Sequence, residues 1–169
     1  MIKYATPLLI TASLVVAGCS KKPPEELPPA PMGTTTTPAP TGLAGPGYAP
    51  GSQGDFLANT MSDRILFDTD RFNVDSQDQV ILQSQAQWLA RNPDARITIE
   101  GHADERGTRD YNLALGERRA NAAKNYLASL GVSPARMTTV SYGKERPEAL
   151  GSNESAWAQN RRAVSVVIR

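Results

Sequence analysis

The chain has 169 residues and a formal net charge of +1, from 18 Lys and Arg against 17 Asp and Glu, so it lacks the basic excess typical of nucleic-acid-binding domains. One cysteine excludes an internal disulfide framework, and the presence of only one cysteine and one histidine argues against a structural zinc site. Nine prolines and six glycines lie between residues 20 and 54, a density that predicts no packed core there. We therefore expect one folded domain over residues 55–169, which is close to the usual domain size.

The first 18 residues have the pattern of a secretory signal peptide. Lys3 precedes an uncharged apolar run over residues 8–17, and ten residues of helix span about 15 Å, half of the roughly 30 Å hydrocarbon core of a membrane. A run of this length suits a signal peptide rather than a membrane span. It ends in small residues before Cys19, which resembles the lipobox of bacterial lipoproteins. That resemblance implies cleavage after residue 18, lipidation of Cys19, and, because Ser20 follows, an anchor in the outer membrane with the domain facing the periplasm.

Residues 19–54 are expected to form a disordered linker that begins at the lipid-carrying cysteine. Proline-rich chains favour the extended polyproline II conformation at about 3.1 Å per residue, so the linker could reach on the order of 110 Å. The composition leaves two interpretations open: a tether whose length is required, or a segment with no required length.

The expected domain alternates strands and helices along the chain. Asp75 and Ser76 offer a cap for the first long helix, Asn92 and Pro93 end it, and Gly131 ends the second. With right-handed crossovers, this order predicts an α+β domain of two layers, in which a small mixed sheet packs against two long helices. The predicted strands cover residues 64–67, 96–100, 137–142 and 163–168, and the predicted helices cover residues 77–91, 112–130 and 155–160.

Four motifs in this domain carry a resemblance to a known family. They occupy residues 100–108, 111–120, 141–143 and 160–164, and together they resemble the OmpA-like peptidoglycan-binding domain over roughly residues 62–169. More narrowly, the chain resembles the peptidoglycan-associated lipoproteins of Gram-negative bacteria. The resemblance implies binding to the diaminopimelate of the peptidoglycan stem peptide, with Asp104 and Arg119 as the main contacts. It implies further pocket positions at Asp70 and Asn112, and one at Arg161 or its neighbour Arg162, of which Arg161 is our prediction.

The residue types suit that ligand, because the free end of diaminopimelate carries an ammonium and a carboxylate on one carbon. Asp104 lies in the loop after a strand and Arg119 lies in the next helix, so a helix folding back over the sheet can bring them together. Arg can bind a carboxylate through two parallel hydrogen bonds, while Asp accepts from an ammonium. The alternative is that Asp104 and Arg119 form a structural salt bridge.

The resemblance also implies a partner system and a role without catalysis. It implies that the Tol proteins, TolB among them, bind this domain, and that the protein supports envelope integrity and constriction during division. Two alternatives stay open: an OmpA-type anchor outside the Tol system, and a peptidoglycan hydrolase using Glu100, Asp104 or Glu105. A glycosidase needs two carboxylates across a sugar, one with a raised pKa, and no such arrangement is evident. We expect no cofactor and no metal. The segment that begins at Asp68 starts like a calcium loop, but it lacks the turn glycine and the final Glu of such a loop.

Overall fold

The computed structural model describes residues 47–168, so Cys19 and the predicted signal peptide lie outside the described residues. Among residues 47–168, no helix has the length and apolar character that a membrane span requires. The described elements follow one another in the order α1 (Gln53–Asn59), β1 (Arg64–Leu66), α2 (Ser76–Arg91), β2 (Arg96–His102), α3 (Arg109–Ser129), β3 (Met137–Gly143), α4 (Glu154–Asn160) and β4 (Arg162–Ile168), with a 3-10 turn at Pro134–Arg136.

All seven predicted elements are present, and local signals explain their ends. Asp75 caps α2 by accepting from the backbone N–H of Asp78, whose side chain accepts in return from the Asp75 backbone. Helix α3 begins at Arg109, three residues before the predicted start, because Thr108 caps it there. It ends before Gly131, which adopts a φ of +93°.

Helix α1 was not predicted, because it begins where prolines and glycines dominate the sequence. Ser52 caps it by accepting from the backbone N–H of Asp55, and Phe56 is fully buried in an edge-to-face contact with Trp88 at 5.0 Å between ring centroids. Its first two residues belong to the segment that was assigned to the linker. The division of the chain at residues 18 and 54 stays a prediction.

The sheet is small and mixed, with the strand order β1-β4-β2-β3. Strand β4 runs antiparallel to both β1 and β2, whereas β2 and β3 are parallel. Strands β1 and β2 therefore run in the same direction, and the loops that follow them leave the sheet at the same end, where β4 begins. This end of the sheet holds the predicted site residues.

The hydrophobic core lies between one face of the sheet and the two long helices. It includes Ile65, Ile97 and Ile99 from the strands, Leu89 from α2 and Leu127 from α3, each no more than 1% exposed. The apolar positions of each helix fall on one stripe, as their three- and four-residue spacing predicts. The prediction of a two-layer α+β domain is confirmed.

Candidate functional site: a polar pocket at the end of the sheet

A pocket of about 260 Å³ opens at the end of the sheet where the loops after β1 and β2 meet the start of α3. Four of the five residues predicted for the ligand site line it: Asp70, Asp104, Asn112 and Arg119. Asp70 comes from the loop after β1, Asp104 from the loop after β2, and the other two from α3. The structure therefore brings together residues that lie up to 49 positions apart in the sequence.

Asp104 is a buried carboxylate that two arginines surround. Its Oδ1 accepts from the backbone N–H and the Nε of Arg106, both at 3.1 Å, and its Oδ2 accepts from Arg106 Nη2 at 2.6 Å. Arg161 Nη1 approaches the same Oδ2 at 3.5 Å. Burial alone would raise the pKa of the Asp104 carboxyl, but hydrogen bonds and charge from Arg106, with a further hydrogen bond from Arg161, lower that pKa below its ordinary value. Asp104 is therefore ionised at neutral pH.

Arg119 is fully buried, and its guanidinium ties three chain segments together. Its Nε donates to the carbonyl of Arg71 at 2.9 Å, its Nη1 to that of His102 at 2.7 Å, and its Nη2 to that of Asp68 at 3.0 Å. Burial, aided by the charge of Arg161, lowers its pKa to about 10, which leaves it protonated at neutral pH. Arg119 and Asp104 share the pocket wall without forming an ion pair with each other in the described domain.

Asp70 and Asn112 shape the mouth and the back of the pocket. Asp70 adopts a φ of +56°, and its Oδ1 accepts from the hydroxyl of Tyr111 at 3.2 Å. Asn112 is buried, and its Nδ2 donates to the backbone carbonyl of Arg106 at 2.7 Å. That hydrogen bond holds the loop after β2 against the first turn of α3.

Arg161 and Arg162 have different partners: Arg161 follows the last residue of α4, and Arg162 is the first residue of β4. Besides approaching Asp104, Arg161 donates to the carbonyl of Phe67 at 2.9 Å, but it does not line this pocket, so its predicted place in the lining is not what the structure shows. Arg162 instead lies beside Glu148, with 2.9 Å between Nε and Oε2. Of the two arginines, the one that contacts the site is therefore Arg161.

A larger cavity of about 520 Å³ lies at the opposite end of the sheet, beside Pro50, Arg91 and Ile168. None of the predicted site residues lines this cavity. The smaller pocket is the better candidate, because it combines an ionised carboxylate with a buried cation and a loop-lined mouth.

The sequence comparisons agree with the motifs. The model of the OmpA family matches residues 66–161. A peptidoglycan-associated lipoprotein from Agrobacterium fabrum is 51% identical over 161 residues, covering 95% of this chain and 85% of the relative. The chain belongs to the OmpA family, among its peptidoglycan-associated lipoproteins. A second member of that group, from Pasteurella multocida, is 45% identical over 100 residues, covering 59% of this chain and 67% of the relative.

Solved structures agree with the fold. The crystal structure of the peptidoglycan-associated lipoprotein from Burkholderia pseudomallei is 49% identical, with a TM-score of 0.62 over 67% of this chain and 93% of that chain. The C-terminal domain of Helicobacter pylori MotB is 18% identical, with a TM-score of 0.59 over 63% of this chain and 84% of that chain. At that identity the likeness concerns the fold alone.

Sequence reasoning missed three polar side chains of this lipoprotein's pocket: Arg106, Thr69 and Tyr111. Arg106 forms the shortest contact to Asp104, and Tyr111 anchors Asp70. The available signal for Arg106 was its position two residues after Asp104, which lets its side chain turn back on that carboxylate. The signal for Tyr111 was its place in the motif over residues 111–120, beside Asn112. Thr69 carries no such signal, because it meets the site only through the fold.

Proposed function

We propose that this domain binds peptidoglycan non-covalently by recognising the diaminopimelate of the stem peptide. The observation that carries the proposal is the pocket in which the ionised Asp104 and the protonated Arg119 share one wall. Relatives named peptidoglycan-associated lipoprotein, at about half identity over most of the chain, support peptidoglycan as the ligand.

The charges of the pocket suit the two groups at the free end of diaminopimelate. The ammonium would bind Asp104, with the carboxylate of Asp70 on the same pocket wall. Arg119 has five N–H groups, and three of them donate to backbone carbonyls. One N–H on each terminal nitrogen is left to donate to the ligand's carboxylate, and two parallel hydrogen bonds of this kind are both strong and directional.

The carboxylates near the pocket favour binding over hydrolysis. A glycosidase needs one carboxyl group with a raised pKa to act as its acid. The pKa of Asp104 is lowered, and hydrogen bonds from Ser152 and Trp157 also lower the pKa of the exposed Glu105. Glu100 lies beside His102, with 3.7 Å between Oε2 and Nε2, and does not line the pocket. Release of muropeptides from sacculi by the purified protein would show hydrolysis and would contradict a binding role without catalysis.

The proposal extends to the whole chain as a tether. Lipid on Cys19 would hold the chain in the outer membrane, residues 19–54 would span the gap, and the domain would hold the cell wall from the periplasmic side. Within the Tol system, TolB would be a partner of the domain, and the tether would support envelope integrity and constriction at division. An OmpA-type anchor outside the Tol system shares the pocket chemistry and differs only in lacking this partner.

Co-sedimentation with purified sacculi tests the ligand. Asp104→Asn keeps the side-chain size but removes the charge that would bind the ammonium, so we expect at least a tenfold loss of affinity. Asp110→Asn is the matched control, because it makes the same chemical change at an exposed residue in the first turn of α3, outside the pocket lining. Equal sedimentation of both variants and the unchanged protein would contradict the proposal.

Two further experiments test the anchor and the partner. Cys19→Ser should move the protein from outer-membrane fractions to the soluble periplasmic fraction after sacculi are digested, and retention in the membrane would argue against lipidation. Purified TolB should bind the domain with micromolar or better affinity. If it does not bind, the anchor outside the Tol system is the better description.

A further inference from the structure

We propose that Arg106 is an internal competitor for the ligand site: in the free domain its guanidinium occupies the cation position on Asp104, and a ligand's ammonium binds by displacing it. The inference rests on the proposed function, because it concerns how the same pocket receives an ammonium. Binding then includes a step that the paired charges of Asp104 and Arg119 alone do not require, which is the departure of Arg106 from Asp104.

Asp104 has no acceptor capacity left for a further donor. A carboxylate offers about four lone-pair positions. Arg106 contacts Asp104 at both oxygens, through its backbone N–H, Nε and Nη2, and Arg161 Nη1 approaches Oδ2 as a fourth donor. Asp104 is only 7% exposed, so water cannot replace a lost donor easily. An ammonium can therefore reach this carboxylate only if one of the four donors leaves.

The side chain of Arg106 is the donor that can leave. The backbone N–H of Arg106 cannot leave, because it is fixed by the chain and Asn112 Nδ2 donates to the carbonyl of the same residue. The side chain of Arg161 is 8% exposed. It is held by hydrogen bonds from its Nε to the Phe67 carbonyl at 2.9 Å and from its Nη2 to Glu154 Oε1 at 2.8 Å. The side chain of Arg106 is 39% exposed, so its guanidinium is already partly in water and regains full hydration when it leaves Asp104.

Trp157 and Thr69 hold Arg106 in the position that blocks Asp104. The guanidinium carbon of Arg106 lies 4.2 Å from the centroid of the Trp157 ring, and Nη2 lies 3.3 Å from Thr69 Oγ1. The indole is itself fixed, because Trp157 Nε1 donates to Glu105 Oε1 at 3.0 Å. The blocked state thus has its own contacts outside the pocket, and these can be weakened without touching Asp104.

Displacement exchanges one cation for another on the same buried carboxylate. A ligand with a free ammonium replaces the charge that Arg106 withdraws. A ligand whose amine is acylated cannot replace it, and would leave the buried Asp104 with Arg161 Nη1, 3.5 Å away, as its remaining cation. Arg106 therefore lowers the affinity of the domain for stem peptides that carry a free ammonium. Acylated stem peptides lack the cation that could displace Arg106 from Asp104.

The test compares affinities of the full chain for two probes by calorimetry. One probe is a soluble muropeptide with a free diaminopimelate ammonium, and the other is the same muropeptide with that amine acetylated. Arg106→Ala and Arg106→Gln should each bind the first probe about three- to tenfold more tightly than the unchanged protein, since a competing ion pair that is exposed only on its arginine side is lost. Trp157→Leu should tighten binding about two- to fivefold. Arg109→Ala, which removes an exposed arginine at the start of α3, should change nothing.

A second measurement follows Arg106 in the unchanged protein. The Nε–H signal of Arg106 in NMR spectra should lose its protection from solvent exchange when the free-ammonium probe is added, and should keep it with the acetylated probe. The outcomes separate the two proposals. If the unchanged protein binds neither probe, the proposed function fails and the inference falls with it. If the free-ammonium probe binds but Arg106→Ala and Arg106→Gln bind it no more tightly, or the Nε–H signal keeps its protection, the inference alone is overturned.

Discussion

Gly101 in β2 and Gly116 in α3 lie backbone against backbone: a Cβ at Gly101 would overlap the carbonyl group of Gly116, and a Cβ at Gly116 would lie 2.8 Å from the Gly101 carbonyl oxygen. Asp104 follows the first glycine by three residues, and Arg119 follows the second by three. This close approach of helix to strand therefore sets the separation of the two main site residues.

Substituting either glycine should destabilise the domain. We expect Gly116→Ala to reduce the free energy of unfolding by about 3 kcal/mol, because the helix must move away from the strand. Gly131→Ala is the control: its φ of +93° is strained for alanine, yet no atom lies within 4 Å of the added Cβ, so about 1 kcal/mol is expected. Urea unfolding measures both, and equal losses in the two variants would contradict the close-packing argument.

Arg119 should prove to be a structural residue as well as a site residue. Arg119→Lys keeps the charge, but one ammonium cannot reach the three carbonyls that the guanidinium bonds. We expect a loss of about 3 kcal/mol in the free energy of unfolding, measured in urea. Arg118→Lys, the exposed neighbour, should stay within about 0.5 kcal/mol of the unchanged protein. A stable Arg119→Lys domain would refute this assignment.

The titration of Asp104 should report its two arginine partners. Arg106→Gln should raise the pKa of the Asp104 carboxyl, because burial remains while the larger opposing cause is removed. Arg161→Gln should raise that pKa by a smaller amount, and Arg162→Gln should leave it unchanged, since Arg162 contacts Glu148 instead. Carboxyl carbon shifts in NMR measured against pH would show this order, and a pKa that responds to Arg162 would contradict the geometry.

His102 should make the domain less stable in mild acid. Its ring is 2% exposed, and within residues 47–168 neither ring nitrogen has a hydrogen-bond partner. Burial, followed by the positive charges of Arg162 and Arg146, lowers its pKa to about 4, although Glu100 lies 3.7 Å away. The folded state thus binds fewer protons than the unfolded state between pH about 6.5 and about 4. Stability is fully present above this window and falls as the pH drops through it.

The expected loss from His102 is about 3 kcal/mol by the acid end of that window. His102→Phe should remove this part of the pH dependence and keep the fold, because no hydrogen bond of the ring is lost. Urea unfolding of both proteins at intervals of pH gives the difference directly. Parallel curves for the two proteins from pH 7 to pH 4 would show that the histidine does not titrate as described.

Much of the domain could be read from local sequence signals, because these act within one element. The cap at Asp75 and the stop at Gly131 placed the helix ends, and the burial of Arg119 follows the three- and four-residue spacing of the buried positions of α3. The motifs likewise placed Asp104 in the loop after β2. Helix α1 could not be predicted in this way, because its few apolar residues follow a segment rich in helix breakers.

The tertiary structure alone decided how the site is assembled. Strand β4 lies between β1 and β2, so Arg161, the residue just before β4, meets Asp104 rather than solvent, and the loop after β1 meets the guanidinium of Arg119. Strand order arises from hydrogen bonds and packing between distant segments, which no local period encodes. The sequence by itself determined which residues carry the charges. The fold determined that Arg119 is held by backbone carbonyls, and that the cation resting on Asp104 is Arg106.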